Sequence, residues 1–131
     1  MKLLLDTHVL LWAVESPERL GSKALKLLKD ANTPLYVSTV SGFEIATKYA
    51  IGKLKLPVPP AEYVASRCKR LGVSVIGLTM EQATTVGSLP LYHRDPFDRL
   101  LIAQAVLDGY TIISADKMFK KYKVRVIPSE K

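Results

Sequence analysis

The sequence predicts an α/β fold, a three-layer α/β/α sandwich around a mostly parallel sheet of four to five strands. Three observations predict it. Short apolar runs of strand length occur at 2–6, 34–38, 73–78, 110–116 and 124–128. Amphipathic stretches of helical length separate most of them, and such alternation makes neighbouring strands parallel because the chain must cross back through a helix. A length of 131 residues with 48% hydrophobic content suits one packed domain, here 1–131.

Each element has its own signal. "KLLLD" (2–6) reads as a buried strand, and "THVLLWAVE" (7–15) as the helix after it, with Thr7 placed to cap it. Pro17 and Gly21 break the pattern before "SKALKLLKDA" (22–31), a helix with Ser22 as cap and Leu25 and Leu28 at helical spacing. "PLYVS" (34–38) is the second strand. "SGFEIATKYAIG" (41–52) is a helix begun by Ser41 and stopped by Gly52. "KLKLPVPP" (53–60) is a turn region, and the next helix runs from Pro60 to Gly72. "VSVIGL" (73–78) is the third strand. Thr79 and Gln82 have capping-box spacing at the head of 79–89. "HRDPFDRLLIAQA" (93–105) enters a helix that ends at Gly109, followed by the strand "YTIISAD" (110–116), a short helix or turn "KMFKKY" and a last strand "VRVIP" (124–128).

The charge narrows the function classes. Nineteen Lys and Arg against twelve Asp and Glu leave +7, which favours a polyanionic partner, nucleic acid first, over a merely soluble basic surface. No apolar run has the length of a membrane span, and "MKLLLD" meets an acid too early for a signal-peptide core. The single cysteine, Cys68, excludes an internal disulfide and reads as a small packing residue. The expectation is a reduced, cytoplasmic protein without membrane attachment.

The acids carry the chemistry. In open parallel sheets ligands bind beyond the carboxyl ends of strands. Asp6 ends the first strand and Asp116 the fourth. Either alone reads as a polar turn residue; the pair at strand ends argues for a site. Glu44 has two readings: a capping box with Ser41, supported by Lys48 at i+4, or a partly buried carboxylate among Phe43, Ile45 and Ala46 that needs a cation. Asp95 and Asp98 flank Pro96, where one caps a helix and both fall in its first turn. Two carboxylates so close repel unless a cation neutralises them. The donors are all oxygen, and His8 and His93 lack the spacing of a zinc helix, so a hard ion, Mg²⁺ or Mn²⁺, suits the set and fits phosphodiester chemistry. If five acids converge, seven remain against nineteen basic residues, an acidic pocket in a surface of +12. That pattern suits a nuclease.

With these residues in view, the chain resembles a PIN-domain ribonuclease, in particular a VapC-type toxin of a toxin–antitoxin pair. The resemblance rests on "LLLDTHVLLWA", "VSTVSGFEIATKYAIGKL", "LPLYHRDPFDRLLIAQA", "TIISAD" and "VRVIP", in order over nearly the whole chain. It implies an acidic quartet of Asp6, Glu44, Asp98 and Asp116, with Asp6 and Asp98 the principal metal ligands and Glu44 and Asp116 serving a second ion or acting through waters. Asp95 is then the cap or a neighbouring acid. Thr7 takes the place of the small hydroxyl residue after the first aspartate, and Ser114 is placed to orient a carboxylate or water. The resemblance further implies metal-assisted hydrolysis of RNA, a homodimer, and a cognate antitoxin. Helix 22–31 and "FEIATKYAIGKLKL" are expected contact regions; Leu54 and Leu56 either form an apolar ridge there or tuck the loop onto the core.

Rival readings meet specific obstacles. A haloacid-dehalogenase-type hydrolase needs a second aspartate where His8 stands. A receiver domain needs an acid after the third strand, which ends "IGLT". A non-catalytic RNA- or protein-binding module on the same fold is the remaining alternative, disfavoured by the intact acids. The tyrosines and Trp12 are scattered, with Trp12 expected in the core, and offer no aromatic platform for bases.

Overall fold

Leu3, Leu4 and Leu5 form strand β1 (Leu3–Leu5), and none of the three exposes any surface. A strand with no polar face must be covered on both sides, which places β1 in the middle of the sheet. The computed structural model describes residues 1–130 and has five strands in the order β3-β2-β1-β4-β5. The other four are β2 (Leu35–Ser38), β3 (Val73–Ile76), β4 (Thr111–Ser114) and β5 (Val126–Pro128), and every neighbouring pair is parallel. Pro128, which cannot donate to a ladder, lies on the outermost strand.

Six helices connect the strands: α1 (Thr7–Glu15), α2 (Ser22–Lys29), α3 (Thr39–Ala50), α4 (Pro60–Leu71), α5 (Met80–Thr85) and α6 (Pro96–Asp108). The two faces of the sheet make two cores. Leu3 and Leu5 join Val9 and Leu10 of α1, Ala24 and Leu28 of α2, Ile45 of α3 and Cys68 of α4. Leu4, pointing the other way, joins Leu101, Ile102 and Ala105 of α6 with Phe119 and Tyr122. Each fully buried leucine contributes about 1.5–3 kcal/mol. This is the α/β/α sandwich expected from the sequence. Cys68 is buried as a packing residue, and burial pushes its thiol up. Trp12 lies partly buried against the first core, and no helix among the described residues is long and apolar enough to cross a membrane.

Several local expectations are corrected. Thr7 does not cap α1: it is the first residue inside the helix, and Asp6 occupies the cap position. Ser22 is likewise inside α2, with Gly21 at the cap. Helix α3 begins two residues earlier than expected because Ser38 caps it, accepting the Val40 N–H at 3.0 Å. Ser41 and Glu44 therefore form no capping box. Strand β4 stops at Ser114, two residues before Asp116. β3 is an edge strand with Ser74 and Val75 exposed. The Thr79–Gln82 capping box and the Asp95 cap on α6 are present as expected. Leu54 and Leu56 tuck their loop against the first core.

The strand order sets the site. From β1 the chain builds outward to β2 and β3, then returns to place β4 on the other side of β1. The connections leaving β1 and β4 diverge there, which opens a crevice at their carboxyl ends. Asp6 and Asp116 follow those two strands.

Candidate active site

Asp6 is 5% exposed and makes no side-chain cap bond. Its carboxylate is instead tied across the sheet: Ser114, the last residue of β4, donates from Oγ to Asp6 Oδ2 at 2.6 Å. The same Oγ accepts the Asp116 N–H at 3.0 Å, so one hydroxyl fixes both acids relative to the strand ends.

Thr7 points into the protein and is 3% exposed. Its Oγ1 lies 2.7 Å from Glu44 Oε1 and 2.9 Å from Ser41 Oγ. The hydroxyl has one proton, which belongs on the carboxylate contact; the Ser41 hydroxyl supplies the proton of the other. The second Glu44 oxygen, Oε2, pairs with Lys48 Nζ at 2.5 Å. Of the two sequence readings of Glu44, the capping box with Ser41 is absent, while the Lys48 pairing and the buried carboxylate are both present. Glu44 is a buried carboxylate at 3% exposure, and Lys48 at i+4 is its cationic partner.

The segment 93–98 brings the remaining acids in. Asp95 caps α6 by accepting the N–H groups of Phe97 at 2.9 Å and Asp98 at 3.4 Å. Pro96 follows at the first helical position. Asp98, in the first turn, is turned toward the strand ends, where His93 Nε2 lies 3.1 Å from its Oδ2. His93 Nε2 is also 2.6 Å from Asp116 Oδ2, and Asp116 Oδ1 accepts the Met118 N–H at 2.8 Å.

The electrostatics report how tightly these groups sit. The Asp98 carboxyl is pushed up to about 8, by burial first and then by the charges of Asp6, Asp95, Glu44 and Asp116. Asp6 is also raised, by burial, with the Ser114 hydroxyl and His8 working against the shift and Glu44 adding to it. Lys48 is held up by its bond to Glu44, with Asp95 and Asp98 adding. Asp98 thus feels the charge of the other three acids of the expected quartet, and of Asp95 beside them.

Such a set fits a hard cation on the chemistry of its donors. Both oxygens of Glu44 and both of Asp116 already hold hydrogen bonds. Asp6 and Asp98 each keep one oxygen, Oδ1, that takes no side-chain hydrogen bond among the described residues. These are the two oxygens best placed to accept a new ligand. One carboxylate oxygen from each of two acids, with water completing the shell, is how Mg²⁺ is commonly held.

Two functional residues were not legible as such. His93 enters the sequence argument only as a failed zinc ligand, yet its ring joins Asp98 to Asp116, and the hint was its place two residues before the Asp95 cap. Arg99 looks like a surface charge within an apolar run but is 8% exposed. Its guanidinium donates to the carbonyls of Val86, Leu89, Pro90 and His93 and to the Tyr122 hydroxyl. It therefore pins the loop that carries His93. Phe43 and Phe97, from α3 and α6, meet edge to face at 5.5 Å between centroids, an aromatic pair beside the acids that the sequence alone does not reveal. A groove of about 630 Å³ adjoins the acids on the Thr7 and Lys48 side, with Trp12 and Tyr63 in its walls and Lys53 and Lys55 at its rim.

Comparison with known proteins bears on the family and the fold. Ribonuclease VapC22 of Mycobacterium tuberculosis is 29% identical over 121 residues, covering 92% of this chain and 91% of that protein. The crystal structure of VapBC2 from Rickettsia felis, bound to a DNA fragment from its promoter, contains a chain that superposes with a TM-score of 0.72 at 17% identity, over 97% of this chain and 98% of that one. DNA-bound VapBC from Salmonella typhimurium gives a TM-score of 0.70 at 14% identity, over 97% of both chains. These structures share the fold. The family model described as the PIN domain matches residues 3–124, from the first residue of β1 to just before β5. With its parallel sheet and converging acids, the chain belongs to the PIN domain family.

Proposed function

We propose that this protein is a divalent-cation-dependent endoribonuclease of the VapC type, the toxin of a toxin–antitoxin pair. The observation that carries the reading is the convergence of Asp6, Glu44, Asp98 and Asp116, with Asp98 pushed up to about 8 by burial and by its acidic neighbours. Four acids in one crevice are costly to a fold unless a cation uses them. The similarity to ribonuclease VapC22 supports RNA as substrate. The excess of basic residues elsewhere supports a polyanion.

In this reading Asp6 and Asp98 would hold Mg²⁺ or Mn²⁺. Glu44 and Asp116 serve a second ion or position water. When bound, such an ion would supply an activated water and offset charge on the phosphate. Ser114 orients Asp6, and Thr7 fixes Glu44 while Lys48 neutralises it. The VapBC complexes among the structural relatives support a cognate antitoxin as partner. Exposed Phe43 and Tyr49 on α3, with Ile51 just after it, would supply apolar surface for a homodimer, and the chain would act as a single cytoplasmic domain.

The test is cleavage of structured RNA by the wild type and by Asp6→Asn, in Mn²⁺ and in EDTA. Cleavage only with metal and wild type is expected, with both proteins equally folded by circular dichroism. Full activity in Asp6→Asn or in EDTA rules the mechanism out. No cleavage of any RNA by the wild type favours the non-catalytic binding module instead.

A further inference from the structure

His93 is fixed at every polar atom. Its N–H donates to the Tyr122 hydroxyl at 2.8 Å and its carbonyl accepts from Arg99 at 3.2 Å. Its ring lies against Phe119, with centroids 5.6 Å apart. Ring atom Nδ1 accepts the Asp95 N–H at 3.1 Å. A backbone amide keeps its proton, so Nδ1 carries none, and the neutral ring holds its proton on Nε2. That proton faces Asp116 Oδ2 at 2.6 Å and Asp98 Oδ2 at 3.1 Å.

The three ligand-type atoms of His93, Asp98 and Asp116 lie within 4.8 Å of one another, as compact as a metal site. A protonated Nε2 has no lone pair to offer, however. Moving the proton to Nδ1 would set it against the Asp95 N–H. In this arrangement His93 is therefore a donor and not a ligand. It stands between two acids and points one N–H toward both.

We infer that His93 is a positioning residue: in the metal-free protein its Nε2–H ties Asp98 to Asp116, and cation binding replaces that tie. The inference rests on the metal-dependent reading above. It has a definite sign. A cation that draws Asp98 or Asp116 toward itself must break this tie, and so binds more weakly than it would to the same acids left untied. Removing the donor therefore strains the metal-free protein and strengthens cation binding.

The experiment uses the full chain, Mn²⁺ titration by calorimetry, and thermal unfolding in EDTA and in Mn²⁺. His93→Phe keeps a ring against Phe119 and removes both nitrogens; His93→Gln retains an amide donor. His93→Phe is expected to unfold at lower temperature in EDTA, to gain more from Mn²⁺ than wild type, and to bind Mn²⁺ about three- to tenfold more tightly, the scale of one net hydrogen bond. His93→Gln falls between. Unchanged or weaker Mn²⁺ binding in His93→Phe overturns the inference, and a large loss would make His93 a ligand. Should His93→Phe not fold, His93→Ala carries the same expectation. If the wild type itself binds no Mn²⁺, the cation reading fails. The tie is then judged by combining His93→Phe with Asp98→Ala in EDTA: coupled midpoints support it and additive ones overturn it.

Discussion

Ser114 and Asp6 are separated by 108 positions in the chain and joined by a 2.6 Å hydrogen bond. The bond crosses from the end of β4 to the end of β1, and Asp116 hangs from the same hydroxyl. A buried carboxylate needs such a donor, because burial raises Asp6 and the Ser114 hydroxyl is the largest influence opposing that rise. Ser114→Ala is expected to lower RNA cleavage about 10- to 100-fold, the usual cost of losing a partner that orients a metal ligand. Activity and Mn²⁺ affinity measured on the folded variant check this; wild-type values in both would show that Asp6 is positioned without Ser114.

Asp98 makes metal-free stability depend on pH. Its carboxyl has an ordinary value of 3.8 and stands at about 8 in the folded protein. Between these limits the folded protein holds a proton that the unfolded chain has lost, so stability falls as pH rises through the window. Asp6, also raised, acts in the same direction. In EDTA, urea midpoints should be higher at pH 5.5 than at pH 8, and Asp98→Asn should reduce the slope and gain roughly 1–3 kcal/mol at pH 8. A variant no more stable than wild type at pH 8 contradicts this account.

The two aspartates around Pro96 divide their work. Asp95→Ser keeps a capping side chain, so it should retain fold and most activity, while Asp95→Ala costs about 1 kcal/mol of stability. Asp98→Asn should retain the fold and lose cleavage. Equal activity loss in Asp95→Ser and Asp98→Asn would place both acids in the chemistry.

Arg99 is buried among neutral acceptors, four carbonyls and a hydroxyl, and holds the loop of His93 in place. Arg99→Met leaves those groups without a donor and should cost about 2–4 kcal/mol in urea unfolding, where a surface arginine would cost almost nothing. Arg99→Lys, which lacks the planar fork, should recover only part of the loss.

Much of this protein was written locally. Runs such as "KLLLD" and "TIISAD" announce strands because unbroken apolar residues need cover on both faces, and the proline and glycine stops bound the helices. The acids at the ends of those strands, the oxygen-only donor set and the basic surplus pointed to metal and nucleic acid before any geometry was known. What the sequence left open was every choice that depends on a distant partner. Glu44 had equal claims as a cap and as a buried acid until Ser38 proved to start the helix and Thr7, 37 positions away, reached its carboxylate. His93 and Arg99 looked ordinary because their roles come from contacts with Asp116, Tyr122 and the loop carbonyls. Periodicity and caps are set by neighbours along the chain and can be read from it. The pairing of donor with acceptor and the summed repulsion at Asp98 arise only when the crossover at β1 and β4 brings separated segments within hydrogen-bond range.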